Sequence, residues 1–414
     1  MTEIELKQII SENKNNIAFV IGNGIHNYLH SKHKTNYPCV TWNQLLIKLW
    51  KTFTNKDFPI CGNSSDDDNK KDISNTEFFN LLELEYISSM ETIHKTYHEQ
   101  LNDLLNYGKN LHIPNNINVV DKYIDQSQYI GINDRIEFIS ENSSKFGDIN
   151  SKSRDVLNNL CNILGIEYNT NNLKETLDLI SLSSVVLSDK RLFYFLSETI
   201  KRQIAIFMSK YKYTHEVTKI VSFIKDINAP ILTTNYDTTL SDSIGFNCND
   251  RNSFNLDTND NWFSYYGEKN NDPSLGFGIW HIHGFHTYHK SISISTTDYM
   301  KNVYRAESLL PKTKLEFIKL KENNWNGYYT WLNIFFNKNL FVFGLGLDTD
   351  ETFLRWLLVK RAEYNMISRK KLKSWYIVNE NDELSCSKQY FLESVGFEII
   401  KINDWSMVYE NIWE

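Results

Sequence analysis

The chain has 414 residues, 41% of them hydrophobic and 14% aromatic, so a large core can form and a disordered composition is excluded. Charged residues make up 23% and the formal net charge is −7, which argues against direct nucleic-acid binding as the main task. The length suits two or three domains, or one large domain with an insertion, at roughly 150 residues per domain.

The opening Met1-Thr2-Glu3-Ile4-Glu5 is polar and acidic, unlike a secretory leader. A short helix is expected over residues 3–12. Ile17-Ala18-Phe19-Val20-Ile21 is a continuous apolar run that stops at Gly22-Asn23-Gly24, the pattern of a buried parallel strand entering a tight turn. From Thr41 to about Lys225 the patterns become helical. Trp42, Leu45, Leu46, Leu49 and Phe53 form one stripe, and Phe193, Leu196, Ile200, Ile204 and Phe207 form another. Residues 76–107 also read as helix, and Asn63–Lys71 as a solvated polar loop.

Strand patterns return at Pro230–Thr234, Gly278–Ile282, Ser291–Ser295, Asn339–Phe343, Ser374–Val378 and Phe397–Ile400, with a helix expected between Asp350 and Tyr364. Strands alternating with helices give an α/β fold with a mostly parallel sheet. The expected organisation is one α/β domain from residues 1–40 and 228–414, split by a helical insertion at 41–227. No run of about 18 apolar residues occurs, so no membrane span is expected.

Four places carry candidate chemistry. Gly22-Asn23-Gly24-Ile25-His26-Asn27 matches the first two glycines of a dinucleotide fingerprint, with Asn27 at the third position; a structural turn explains it about as well. Thr233-Thr234-Asn235-Tyr236-Asp237 ends a strand, where Asn235 and Asp237 either face a ligand crevice or form an Asx turn capping the next helix. His281-Ile282-His283-Gly284 ends another strand, and strict alternation would put both histidines on one side. A His at such a place suits general-base chemistry. Phe343-Gly344-Leu345-Gly346-Leu347 is a second strand–glycine–helix junction, so one extended nucleotide could lie across both turns. The five cysteines (Cys39, Cys61, Cys161, Cys248, Cys386) are scattered and form no C-x-x-C pair, which suits reduced thiols in the cytoplasm. With no local Cys, Glu or Asp to complete a shell around the histidines, no metal is expected.

The order of these four motifs resembles the sirtuin-like NAD-consuming domains of bacterial antiphage defence systems, in particular the stand-alone branch. Its Gly-Leu-Gly-Leu turn and Asp-Glu-x-Phe-Leu-Arg-Trp helix correspond here to Gly344–Leu347 and Asp350–Trp356. The resemblance covers about 17–30 and 230–400. It implies a Rossmann-like sheet binding NAD+ as substrate, with Asn235 and His283 catalytic and Asn379 meeting the adenosine ribose. Gly22, Asn23, Gly24, Thr234, Gly344 and Gly346 complete the expected NAD-contacting set. It further implies a HerA-type ATPase as partner, and a homo-oligomer is expected. Two departures bear on activity: the four-cysteine zinc module of protein-deacetylating sirtuins is missing, and the first glycine loop carries the larger Asn23-Gly24-Ile25 in place of its usual small residue.

The chemistry such a site would carry is cleavage of the nicotinamide–ribose bond to nicotinamide and ADP-ribose. Its transition state resembles an oxocarbenium ion, and the neutral leaving group needs little acid assistance. Asn235 would hold ribose or water, His283 would accept a proton, and Asp237 would orient either group or stabilise developing positive charge. An NAD+ glycohydrolase is therefore the leading expectation. The alternatives are a non-catalytic NAD or ADP-ribose sensor, and an NAD-dependent deacylase or ADP-ribosyltransferase.

Overall fold

The computed structural model describes residues 1–35, 37, 41–54, 57, 79–82, 84–85, 192–313, 316, 325–382 and 384–414. The expected loop at Asn63–Lys71 and most of the expected helix at 76–107 lie outside these. The chain divides into two compact units. The first comprises Met1–Leu45, Asp68–Glu77 and Phe207–Glu414, and the second Leu46–Asp67 and Phe78–Ile206.

The strands are β1 (Ile17–Ile21), β2 (Ile231–Thr233), β3 (Arg251–Ser253), β4 (Ser264–Tyr266), β5 (Ile279–His281), β6 (Asn339–Phe343), β7 (Ser374–Asn379) and β8 (Glu398–Ile402). The helices named below are α1 (Glu3–Asn13), α2 (Gly24–His33), α3 (Trp42–Thr54), α4 (Leu192–Met208), α5 (His215–Asp226), α6 (Thr239–Asp242), α7 (Thr296–Leu309), α8 (Trp331–Asn337), α9 (Thr352–Ser368) and α10 (Cys386–Ser394). In the second unit the described elements are helical: α3 buries Leu46, Leu49 and Phe53, and α4 buries Ile200 and Ile204.

The first unit holds a single sheet in the order β3-β4-β5-β2-β1-β6-β7-β8. The six strands from β5 to β8 are parallel, while β4 pairs antiparallel with both β3 and β5. Counted alone, the parallel strands run 3-2-1-4-5-6, the Rossmann order. The sequence expectation of a Rossmann-like, mostly parallel sheet with substantial helix therefore holds. β3 and β4 carry no apolar run and were not anticipated.

Every residue of β1 is buried, because both faces of the sheet are covered. Period-2 alternation divides its side chains between two cores. Ile17, Phe19 and Ile21 join Ile231, Ile279, Phe341 and Phe343 beneath α1, α2 and α5. Ala18 and Val20 join Leu232, Trp280, Leu340 and Val342 beneath α7, α8, α9 and α10. The helices have visible local causes. Thr2 and Glu5 form a capping box for α1, and Ser295 and Asp298 do the same for α7. In α5 the stripe Val217, Ile220, Val221 and Ile224 is wholly buried.

Ser291–Ser295 is not a strand, and residues 292–295 are all buried. Its backbone makes no ladder: the Ser293 N–H donates to the His283 carbonyl at 2.9 Å, and Ser295 turns to cap α7. Behind the sheet, the buried Arg361 of α9 spreads its fork over the Phe335 carbonyl (2.8 Å), the Ser374 hydroxyl (2.7 Å) and the Lys338 carbonyl (2.9 Å).

A charge cluster ties α2 to α5 and to the C-terminal segment. Lys32 Nζ lies 2.8 Å from Glu216 and 2.7 Å from Glu410, and His33 lies 2.8 Å from Glu216. Burial alone would raise the Glu216 carboxyl. Hydrogen bonds from Lys32, Thr214, its own backbone and His33 outweigh this and bring it from 4.5 down to about 2. The folded form thus holds fewer protons than the unfolded form between those values, so stability rises with pH there. The contribution is present above about pH 4.5 and is lost as pH falls toward 2. In Glu216→Gln the melting temperature should therefore be lower at neutral pH and fall less steeply from pH 5 to 2, as thermal melts across that range will show.

Candidate functional site

The chain leaves β1 through Gly22-Asn23-Gly24 and leaves β6 through Gly344, and the two turns lie against each other. The Gly22 N–H donates to the Phe343 carbonyl (3.1 Å), and the Gly24 N–H donates to the Gly344 carbonyl (2.7 Å). A Cβ on Gly24 would stand 2.5 Å from Gly344 Cα, and one on Gly22 would fall on the Gly344 carbonyl. Gly344 itself has φ of +67°, a conformation that favours glycine. The glycines thus answer first to each other's backbone. β1 lies between β2 and β6, where the winding of the sheet reverses, so the junction sits at the topological switch point, where open α/β sheets place their ligands.

Beyond β2, Asn235 is nearly immobilised. Its N–H donates to Thr233 Oγ1 (3.1 Å), and its Nδ2 donates to the Gly22 carbonyl (3.4 Å). Its carbonyl accepts from His281 Nδ1 (2.9 Å). Its Oδ1 is buried and has no partner. Thr234 is buried beside it, with its N–H on the Ile21 carbonyl at 3.4 Å.

Asp237 serves two structural partners. Oδ1 accepts from the Thr239 backbone (3.0 Å) and hydroxyl, so the Asx-turn reading applies at the start of α6. Oδ2 takes His26 Nε2 at 2.8 Å, in a pair with side chains 0% and 3% exposed. Burial pushes this carboxyl up, but His26 and Thr239 outweigh burial and hold it well below the usual carboxylate range. Asp237 is therefore a carboxylate and His26 donates Nε2–H to it. His26 Nδ1 is buried and has no partner. The ring stands edge-on to Tyr211 at 4.8 Å.

The two histidines of His281-Ile282-His283 do not share a side. β5 ends at His281 and the chain turns, so alternation stops there. The His281 ring packs toward Tyr266 and Phe285, while the His283 ring packs toward Tyr299 and Phe353. His283 is buried and its Nε2 lies 3.0 Å from Oε2 of Glu351, the residue that precedes α9. The positive end of the helix favours a carboxylate there. His283 Nδ1 is buried and has no partner.

The remaining expected residues are less engaged with this group. Asn23 heads α2 without capping it, and its Nδ2 lies 3.5 Å from Asn27. The Gly346 carbonyl accepts from the Tyr376 hydroxyl (2.9 Å). At the end of β7, Asn379 Oδ1 accepts from the Asn381 N–H (2.9 Å) and Nδ2 donates to the Asn403 carbonyl (3.3 Å), so its side chain is held by its own chain. Sequence reasoning gave no role to His26 or Glu351. A polar residue two places after a glycine turn, and an acid just before a helix, were the available signals.

Residues 229–400 match the family model described as a SIR2-like domain. The chain carries a SIR2-like domain. The matched segment runs from just before β2 into β8, and it supports NAD-related enzyme chemistry in general terms. β1 and the Gly22–Gly24 turn lie outside the match and join the SIR2-like domain through parallel pairing with β2 and β6. No curated protein matches the chain. Among the described residues, no group of three or more His, Cys, Asp or Glu is arranged to hold a metal, and no helix is long and apolar enough to cross a membrane.

Gly24→Ala tests the junction. Its Cβ must displace the Gly344 backbone, so the variant should lose about 1–3 kcal/mol, the usual range for overpacking, in urea denaturation. Gly346→Ala meets only the Asp348 carboxylate, at 3.1 Å, and should unfold close to the wild type.

Proposed function

We propose that this chain hydrolyses NAD+ at the nicotinamide–ribose bond, releasing nicotinamide and ADP-ribose. The observation that carries the reading is a set of four buried side-chain atoms without a partner, just beyond the carboxyl ends of adjacent strands: Asn235 Oδ1, His26 Nδ1, His281 Nε2 and His283 Nδ1. Asn235 Oδ1 is an acceptor because its Nδ2 donates to the Gly22 carbonyl, and the neutral His281 ring accepts at Nε2 because its Nδ1 donates to the Asn235 carbonyl. Unpartnered buried polar atoms are costly, and a ligand bearing several hydroxyls, which both donate and accept, relieves those it reaches. A ribose is such a ligand, and the match to a SIR2-like domain points to the same one.

NAD+ supplies ribose hydroxyls and a nicotinamide that leaves as a neutral group. Asn235 would hold ribose or the attacking water through Oδ1. His283 would take a proton on Nδ1, while Glu351 keeps Nε2–H aligned and stabilises the imidazolium that results. Asp237 would act through His26 and the start of α6. Gly22, Asn23, Gly24, Thr234, Gly344, Gly346 and Asn379 would frame the nucleotide. No step calls for a metal.

Unchecked NAD+ hydrolysis is toxic, so the activity requires control. We place the protein as a regulated, NAD-depleting effector of antiphage defence in the cytoplasm, acting as a homo-oligomer with a HerA-type ATPase. The support for this setting is the motif resemblance.

The test is nicotinamide release from NAD+ by the purified protein, followed by chromatography. Asn235→Ala and His283→Ala should each fold and lose about 10²–10⁴-fold in rate. Glu351→Gln keeps a hydrogen-bonding side chain but not the charge, so it should lose less than His283→Ala. The double variant should be no slower than His283→Ala alone. NAD+ binding without cleavage would replace this reading with a sensor, and cleavage only with an acylated acceptor would replace it with a deacylase.

A further inference from the structure

His281 is a buried histidine that the proposed reaction does not employ as acid or base. It is 3% exposed, and its ring is fixed by Tyr266 (centroids 5.6 Å apart) and Phe285 (6.0 Å). It stands in register with Thr233, the residue whose hydroxyl holds the Asn235 N–H. Its own Nδ1 meets the Asn235 carbonyl at 2.9 Å. A carbonyl only accepts, so Nδ1 carries the proton. Asn235 thus has three tethers: Thr233 on its N–H, Gly22 on its Nδ2 and His281 on its carbonyl. The His281 tether alone comes from a side chain outside the Thr233–Asp237 turn.

We propose that His281 is a positioning residue that donates Nδ1–H to the Asn235 carbonyl, and so fixes where the Asn235 amide stands against the ribose. The proposal rests on the hydrolase reading. Charge on the ring supports it. Burial pushes the imidazole down to about 4 against the pull of the Asn235 carbonyl; Arg251 and His286 add to the lowering, and Asp237 opposes it. The ring is therefore neutral, in one tautomer, over the whole working range of pH. It is a fixed donor rather than a proton shuttle.

Atom-for-atom replacement gives the test. An asparagine at 281 offers Nδ2–H at the same distance along the side chain as histidine Nδ1, whereas an aspartate offers only acceptors there. His281→Ala should lower kcat by up to about 10²-fold, the scale of a displaced catalytic group, with KM little changed. His281→Asn should recover most of kcat, and His281→Asp should not. Where His281→Ala does not fold, the Asn and Asp variants carry the comparison. Nitrogen NMR of the wild type should show His281 protonated at Nδ1 alone from pH 5 to 8.

Coupling separates positioning from mere support of the fold. With Asn235→Ala as background there is no amide left to place, so His281→Ala should cost nothing further in kcat. Its effect on melting temperature should persist in that background. Multiplicative losses in kcat, or equal recovery by Asn and Asp, would overturn the proposal and leave the hydrolase reading standing. Absence of nicotinamide release from the wild type would overturn both.

Discussion

The site hangs on a contact between two turns that have no side chains to separate them. Gly22 and Gly24 follow β1, Gly344 follows β6, and their backbones bond directly. That contact sets the spacing of two parallel strands at the place where the sheet reverses its winding. The other candidate residues take their positions from it. The Gly22 carbonyl receives the Asn235 amide, and α2, which begins at Gly24, delivers His26 to Asp237. A glycine turn that would ordinarily be read as room for a phosphate is here first a joint between two halves of a sheet.

Around the joint, the polar groups are arranged by sign. Donors are spent inward, on carbonyls and carboxylates, and each leaves a buried atom of its own side chain without a partner. This follows from a small number of fixed partners: the Asn235 and Gly22 carbonyls, Asp237 and Glu351. Once those accept, the orientation of the Asn235 amide and the tautomer of the neutral His281 ring are determined. Asp237 thus contributes without any free oxygen. Both oxygens are taken by His26 and Thr239, and the carboxylate holds the His26 ring in place.

Much of this was legible in the amino-acid sequence. Continuous apolar runs marked β1, β2, β6 and β7, because strands covered on both faces need no polar alternation. Asn235 and His283 were visible as polar residues just past such runs. The reading failed where local pattern and tertiary context part. Ser291–Ser295 alternates like a strand but has no neighbouring edge to bond. His281 and His283 are two apart, yet the strand ends between them. β3 and β4 are too short and polar to signal themselves. His26 and Glu351 acquire meaning only from partners 211 and 68 positions away, distances that no local motif spans.

The central position of β1 has a consequence for how the protein comes into being. Ile17 is paired with Asn339, and Phe19 with Ile231. As the chain is synthesised, a fully apolar strand emerges first and finds its second neighbour only after about three hundred more residues have followed. Until then it is an unpaired, sticky edge, open to wrong partners. Assembly of the sheet depends correspondingly on β6 and the strands that follow it. A product that stopped short of β6 would contain the first glycine turn but not its joint with Gly344. The proposed site would thus be unable to form before β6 and the glycine turn that follows it had been made.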